Sequence, residues 1–167
     1  MILGKRTLIE ERTGLSSSGE AFTGIFDSTY THYIVELKNV TESSGNIAVR
    51  YYTGASTLMS GTNYTQCFNS FRTSIYRQDS GTNQQNRHYD FYWKYRYDGY
   101  SIYYNPNISS DKNAIVSGSA GYYAQSLVHG RYNSSIVATG IRIYPDGGAG
   151  TKVFTGGTIR IFGIDNS

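Results

Sequence analysis

The apolar positions of this chain alternate more often than they cluster. In HYIVELKNV (32–40), Tyr33, Val35 and Leu37 alternate with Ile34, Glu36 and Lys38, the period-2 pattern of a strand with two unlike faces. KRTLIEERT (5–13) predicts a strand before it, closed by the turn-forming run Ser16-Ser17-Ser18-Gly19, with EAFTGIF next. A second turn cluster, Ser43-Ser44-Gly45-Asn46, leads into IAVRYYTG. Residues 55–88 are polar, with Gly61, Gly81 and the run Gln84-Gln85-Asn86; they predict a long excursion with a short strand around Phe68 to Tyr76.

HYDFYWKYRYDGYSIYYNPN (88–107) has the strictest pattern: Tyr89, Phe91, Trp93, Tyr95 and Tyr97 alternate with Asp90, Tyr92, Lys94 and Arg96. Asp98-Gly99 suits a two-residue type I′ turn, whose central residues both need positive φ. That turn predicts a hairpin in which Tyr97 faces Tyr100, Tyr95 faces Ile102 and Trp93 faces Tyr104. The shared aromatic face is expected to lie against the core, and Tyr103 on the other face, opposite Lys94. NAIVSGSAGYYAQSLVHGRY (113–132) reads as one or two strands broken at Gly118 to Gly121.

Two late strands echo each other. In TGIRIYP (139–145) Ile141 and Ile143 point one way, and in GTIRIFG (157–163) Ile159 and Ile161 do the same. They read as neighbours laying isoleucine on one core. About eight or nine short strands at turn-spaced intervals predict an all-β fold, a jelly-roll-like antiparallel β-sandwich. Its 167 residues suit a single domain, with residues 1–13 as an N-terminal strand or docking arm.

Composition strengthens that reading. Aromatics make up 15% of the chain and there are 19 Gly; the first favour a pleated, half-buried surface and the second supply turns. Buried aromatics fill a core, whereas exposed Tyr and Trp stack on sugars or anchor interfaces. Tyr92 and Tyr103 fall opposite the predicted ladder, and Tyr51-Tyr52 and Tyr122-Tyr123 place one ring on each side of a strand. These six are the candidates for an interface or ligand surface.

Charge and motifs exclude more than they suggest. The net charge is +3, but the 15 Lys and Arg are scattered, with Lys5-Arg6 the sole adjacent pair; nucleic-acid binders cluster their cations, so no such partner is expected. Cys67 is alone, which leaves no internal disulfide. His32, His88 and His129 are far apart and fit no metal spacing. PDGGAGTK lacks the Gly-Lys-Ser/Thr ending of a phosphate loop and runs between two strands. No serine occupies a nucleophile elbow, and no carboxylate pair can be assigned from sequence. The expectation is a protein without catalytic residues, metal or cofactor.

The opening residues meet charge at Lys5 before any apolar stretch forms, so no cleavable export signal is expected. Nothing approaches membrane-spanning length. Sequons stand at Asn39, Asn63, Asn107 and Asn133; without an export signal they read as chance.

FTGIFDSTYTHYIVELKNV (22–40), SGTNYTQ (60–66), YSIYYNPNISSDKNAIV (100–116), then TGIRIYP and FTGGTIRIFGI (154–164), in that order, resemble small virion proteins of tailed bacteriophages. Such proteins are common in marine and cyanobacterial phages and are labelled tail-fibre or capsid-appendage proteins. Apart from SGTNYTQ, residues 55–88 fall outside the resemblance, as does the aromatic HYDFYWKYRY stretch. What it implies is a β-sandwich on the outside of the virion, assembled in the host cytoplasm as a homotrimer and touching other virion proteins or a host-surface glycan. It implies no catalytic residues. Ile2, Leu3 and Leu8 are then candidates for docking onto a neighbouring subunit or the particle. The alternative is a carbohydrate-binding sandwich with an exposed Tyr/Trp platform. An extracellular trimeric signalling jelly roll, of the tumour-necrosis-factor or complement-like type, ranks below both because its export signal and motifs are missing.

Overall fold

The computed structural model describes residues 4–43, 46–59, 64–72, 76–81, 90–91, 96–109, 112–120, 124–132, 135–146 and 151–165. Every regular element among them is a strand: β1 (Arg6–Thr13), β2 (Glu20–Phe22), β3 (His32–Glu42), β4 (Asn46–Thr53), β5 (Thr57–Leu58), β6 (Tyr64–Arg72), β7 (Tyr76–Gly81), β8 (Asp90–Phe91), β9 (Tyr97–Tyr104), β10 (Lys112–Ala120), β11 (Ala124–Tyr132), β12 (Gly140–Asp146) and β13 (Phe154–Ile164). The count exceeds the expected eight or nine because the polar 55–88 stretch contributes β6 and β7, and because β2, β5 and β8 are very short.

The strands form two antiparallel sheets. One has eight, in the order β1-β13-β3-β9-β10-β11-β6-β7; the other has five, in the order β2-β12-β4-β5 with β8 also on β4. Alternation decides which side chains lie between them. Tyr33, Val35 and Leu37 of β3, Ile159 and Ile161 of β13, and Tyr97 and Tyr103 of β9 point in from the larger sheet. Phe22 of β2, Val49 and Tyr51 of β4, and Ile141 and Ile143 of β12 meet them from the smaller. Rings interlock at the centre: Tyr51 lies 6.0 Å from Tyr103 and 6.1 Å from Tyr132, both edge-on, and Phe26 lies 4.7 Å from Tyr33. Edge-on contacts suit the ring quadrupole, and each ring removes roughly 150–250 Å² from water. The result is an all-β antiparallel sandwich.

Two expectations need correction. The echoing strands β12 and β13 are not neighbours; they belong to different sheets and bring their isoleucines to the core from opposite sides. Nor do Asp98 and Gly99 form a turn. They lie inside β9, where Gly99 pairs with Leu37 on one side and Gly118 on the other. The reason is a bulge in β3 between Leu37 and Val40, with Asn39 at φ 52°. The Asn39 N–H freed by that bulge donates to Asp98 Oδ1 at 2.8 Å, and Arg96 Nε donates to Asp98 Oδ2 at 2.8 Å. Asp98 is thus consumed in satisfying a displaced backbone donor. Asp90 and Phe91 pair with β4 in the smaller sheet, so the segments flanking the aromatic stretch belong to different sheets and cannot form one hairpin. Of the predicted ladder, Tyr89 and Trp93 to Tyr95 lie outside the described residues.

Two local features hold the layers in place. At Gly163 a side chain would strike the ring of Tyr30; that ring packs edge-on against Tyr33 at 6.0 Å. At the sandwich edge, Arg12 of β1 donates to Glu20 Oε2 at 2.8 Å and to the Ala21 carbonyl at 2.7 Å, both on β2. Its guanidinium also covers the Phe22 ring at 4.4 Å. One side chain therefore ties the outer strand of the large sheet to the outer strand of the small one.

Candidate functional site

The side chains that alternation sends away from the core form an ordered surface on the large sheet. Register places Leu8 of β1 beside Phe162 of β13, Phe162 beside Ile34 of β3, and Ile34 beside Ile102 of β9. This apolar row crosses four strands on the outer side. Leu8 is 52% exposed, while Phe162, Ile34 and Ile102 are half-buried among their neighbours.

Polar rows flank it. On one side stand Glu11, Arg160, Glu36 and Tyr100 in register. Arg160 donates to Glu11 and, at 3.3 Å, to Glu36; these hydrogen bonds hold its guanidinium above its usual range. Exposed pairs of this kind contribute little to stability, but they fix the charges in place. On the other side stand Arg6, His32 and Tyr104, with the apolar Ile164 buried between Arg6 and His32. Arg6 lies over the Phe162 ring at 4.2 Å, and His32 meets Tyr104 edge-on at 5.0 Å.

The arrangement is a broad sheet face with an apolar centre, two tyrosines and fixed charges at its margins. Such a surface can stack on a planar ring or bury itself against another protein. Among the described residues, no three His, Cys, Asp or Glu side chains are grouped to hold a metal ion.

The sequence-predicted candidates fare differently. Tyr51 and Tyr103 are fully buried, and Tyr52 is also inside; all three are corrected from surface candidates to core residues. For Tyr103 the cause is the missing turn: β9 runs straight through Asp98-Gly99 and carries Tyr103 inward with Ser101. For Tyr51 and Tyr52 the cause is that both faces of β4 are covered there. Tyr92, Tyr122, Tyr123, Ile2 and Leu3 lie outside the described residues. Leu8 is on the face just described. Missed entirely were Tyr100 and Tyr104, expected to point inward, and the joint presence of Ile34, Ile102 and Phe162. One signal was available: strands whose second, outward set of positions is also apolar.

No protein-family model and no curated protein matches the chain. Among solved structures it is similar to the galectin LEC-6 of Caenorhabditis elegans, at 13% identity over 90% of this chain and 94% of that one, with a TM-score of 0.36. That similarity is too loose to bear on function.

Proposed function

We propose that this chain is a non-enzymatic structural protein of a tailed-bacteriophage virion, a capsid decoration or tail-fibre appendage that works by surface contact. The observation that carries the reading is the outer face of the large sheet, where an apolar row is held between fixed charges and flanked by Tyr100 and Tyr104. Contiguous apolar area displayed on a sheet face serves association. The ordered resemblance supplies the setting. Its quoted stretches coincide with β3, β9 and β13, three of the four strands that carry this face, and with β12 of the smaller sheet. In this reading the protein is assembled in the host cytoplasm, and its partners are itself and other virion proteins. The test is mass spectrometry of purified particles together with antibody labelling. Stoichiometric recovery and regular labelling of capsid or tail are expected; absence from the particle overturns the proposal.

Tyr100 favours a second reading, glycan binding. It is 46% exposed, and Tyr104 shares its face at a spacing of roughly 14 Å along the strand. Calorimetry against a panel of host-surface polysaccharides tests it. The reading requires a saturable heat that Tyr100→Ala abolishes, and it fails if no glycan gives one.

A further inference from the structure

We infer that the outer face of the eight-stranded sheet is a two-fold interface between two copies of this chain, with the symmetry axis lying along the apolar row. The inference deepens the proposal above and rests on its claim that this face is the working surface.

Three rows cross the same four strands. Glu11, Arg160, Glu36 and Tyr100 form the first, Leu8, Phe162, Ile34 and Ile102 the second, and Arg6, Ile164, His32 and Tyr104 the third. A two-fold axis in the plane of the face and along the second row leaves each strand opposite its own copy and exchanges the first and third rows. The apolar row then meets itself. Glu11 comes opposite Arg6 of the second copy, Glu36 opposite His32, and Tyr100 opposite Tyr104. Acid meets base at two pairs and aromatic meets aromatic at a third; at the fourth, Arg160, held by Glu11 and Glu36, comes opposite Ile164, which is buried in its own chain. This is the self-complementarity that an isologous contact requires. A threefold ring would need two different complementary surfaces instead, so a dimer takes the place of the homotrimer that the resemblance implies.

The face is also large enough. The backbone of the eight paired strands, spaced about 4.8 Å apart and rising about 3.4 Å per residue over eight or so residues, gives a sheet on the order of 1,000 Å², of which the four strands that carry the rows make up about half. A stable interface needs roughly 800 Å² from each partner. Sheets stacked face to face interdigitate side chains across about 10 Å, within reach of the paired charges. The charges would also enforce register, because sliding one sheet past the other by one row sets acidic positions against apolar ones.

The decisive experiment exploits a residue on the axis. A cysteine at position 8 meets its own copy, whereas one at position 100 meets position 104. In a Cys67→Ser background, mild oxidation of Leu8→Cys is expected to give a covalent dimer at a rate at least about tenfold above Tyr100→Cys. Light scattering on the unaltered chain is expected to give twice the 18.6 kDa chain mass. Leu8→Arg, exposed and so compatible with folding, sets like charges face to face and is expected to weaken association about 100-fold while circular dichroism is unchanged. A monomer or a trimer at every concentration overturns the inference, as does equal cross-linking at the two positions. An axis along the strands would stack Leu8 on Ile102, and Leu8→Cys would then stay unlinked, also overturning it. Particle labelling is independent: a trimer found on virions defeats this symmetry and leaves the virion reading intact, whereas a dimer absent from virions does the reverse.

Discussion

Strand β9 has two faces with the same chemistry and opposite fates. Tyr97 and Tyr103 point inward and are buried with Tyr33, Tyr51 and Tyr132; Tyr100 and Tyr104 point outward, and Tyr100 keeps nearly half its surface in solvent. The inner rings fill a core at interior density, where each change of volume is felt. The outer rings border an apolar row that the described chain leaves partly exposed. The difference teaches that tyrosine content alone says nothing about which role a ring has. Parity along the strand decides it, and parity here is set by a bulge in the neighbouring strand.

The contrast is sharpest under truncation. At concentrations where the chain is dissociated, Tyr103→Ala is expected to cost about 3–5 kcal/mol, as for other large buried aromatics, whereas Tyr100→Ala is expected to stay within about 0.5 kcal/mol. Urea unfolding monitored by circular dichroism compares them directly; similar losses for both would break the distinction.

Gly163 sits inward in the same row as Tyr33 and Tyr103, beside outward Phe162. Adding a methyl there forces the Tyr30 ring to move, so Gly163→Ala is expected to destabilise by about 1–3 kcal/mol. Because the obstacle is that ring, Tyr30→Ala should cost less in the Gly163→Ala background than in the native one. A double-mutant cycle reads the coupling, and strictly additive losses would show that the ring is not the obstacle.

The inner face also makes an alkaline prediction. Burial pushes the Tyr33 phenol up to about 12, while Asp27 binds its hydroxyl from the backbone: Asp27 N donates to it at 2.9 Å and it donates to the Asp27 carbonyl at 3.0 Å. A group raised in the folded state stabilises fully below its unfolded pKa, near 10, and that stabilisation is lost as pH rises through the folded value. The unfolding midpoint should therefore fall between about pH 10 and 12, and Tyr33→Phe should flatten that slope. A slope unchanged in Tyr33→Phe would assign it to other groups.

A smaller loss than at Tyr103 or Gly163 is expected at the edge clamp. Burial works against ionisation of Glu20, but hydrogen bonds from Ser17 and Arg12 outweigh it and hold the carboxyl below the usual range. A lowered carboxyl stabilises above its unfolded pKa, and that contribution disappears as pH falls through the folded value. Arg12→Ala is expected to cost about 1 kcal/mol at pH 7 and less at pH 3. An equal loss at both pH values would place the contribution in the stacking of Arg12 on Phe22 rather than in the ion pair.

Much of the frame was legible in the sequence. The strict alternation of Tyr33, Val35 and Leu37, and the paired isoleucines of the two late strands, identify inward positions that are all buried. Turn chemistry misled at Asp98-Gly99, because a dipeptide that suits a tight turn equally suits a strand opposite a bulge, and Asn39 gives no local sign that its backbone will bulge. Tyr51 and Tyr52 misled for a related reason: a side chain on the outer side of β4 is exposed only if nothing else covers that side, which is a tertiary fact. The candidate face stayed hidden because its row is assembled from β1, β13, β3 and β9, strands far apart in the chain, and register is not a local property. What was visible was an excess of apolar residues at both parities, which marks a second surface without saying where it lies.

The most direct test of the account introduces one charge at two adjacent residues. Tyr100 points out and Ser101, 3% exposed, points in. With both measured on the dissociated chain, Tyr100→Arg is predicted to fold with a near-native urea midpoint, and Ser101→Arg to be unfolded or severely destabilised. A folded Ser101→Arg with an unfolded Tyr100→Arg would reverse the parity of β9 and with it the assignment of the outer face.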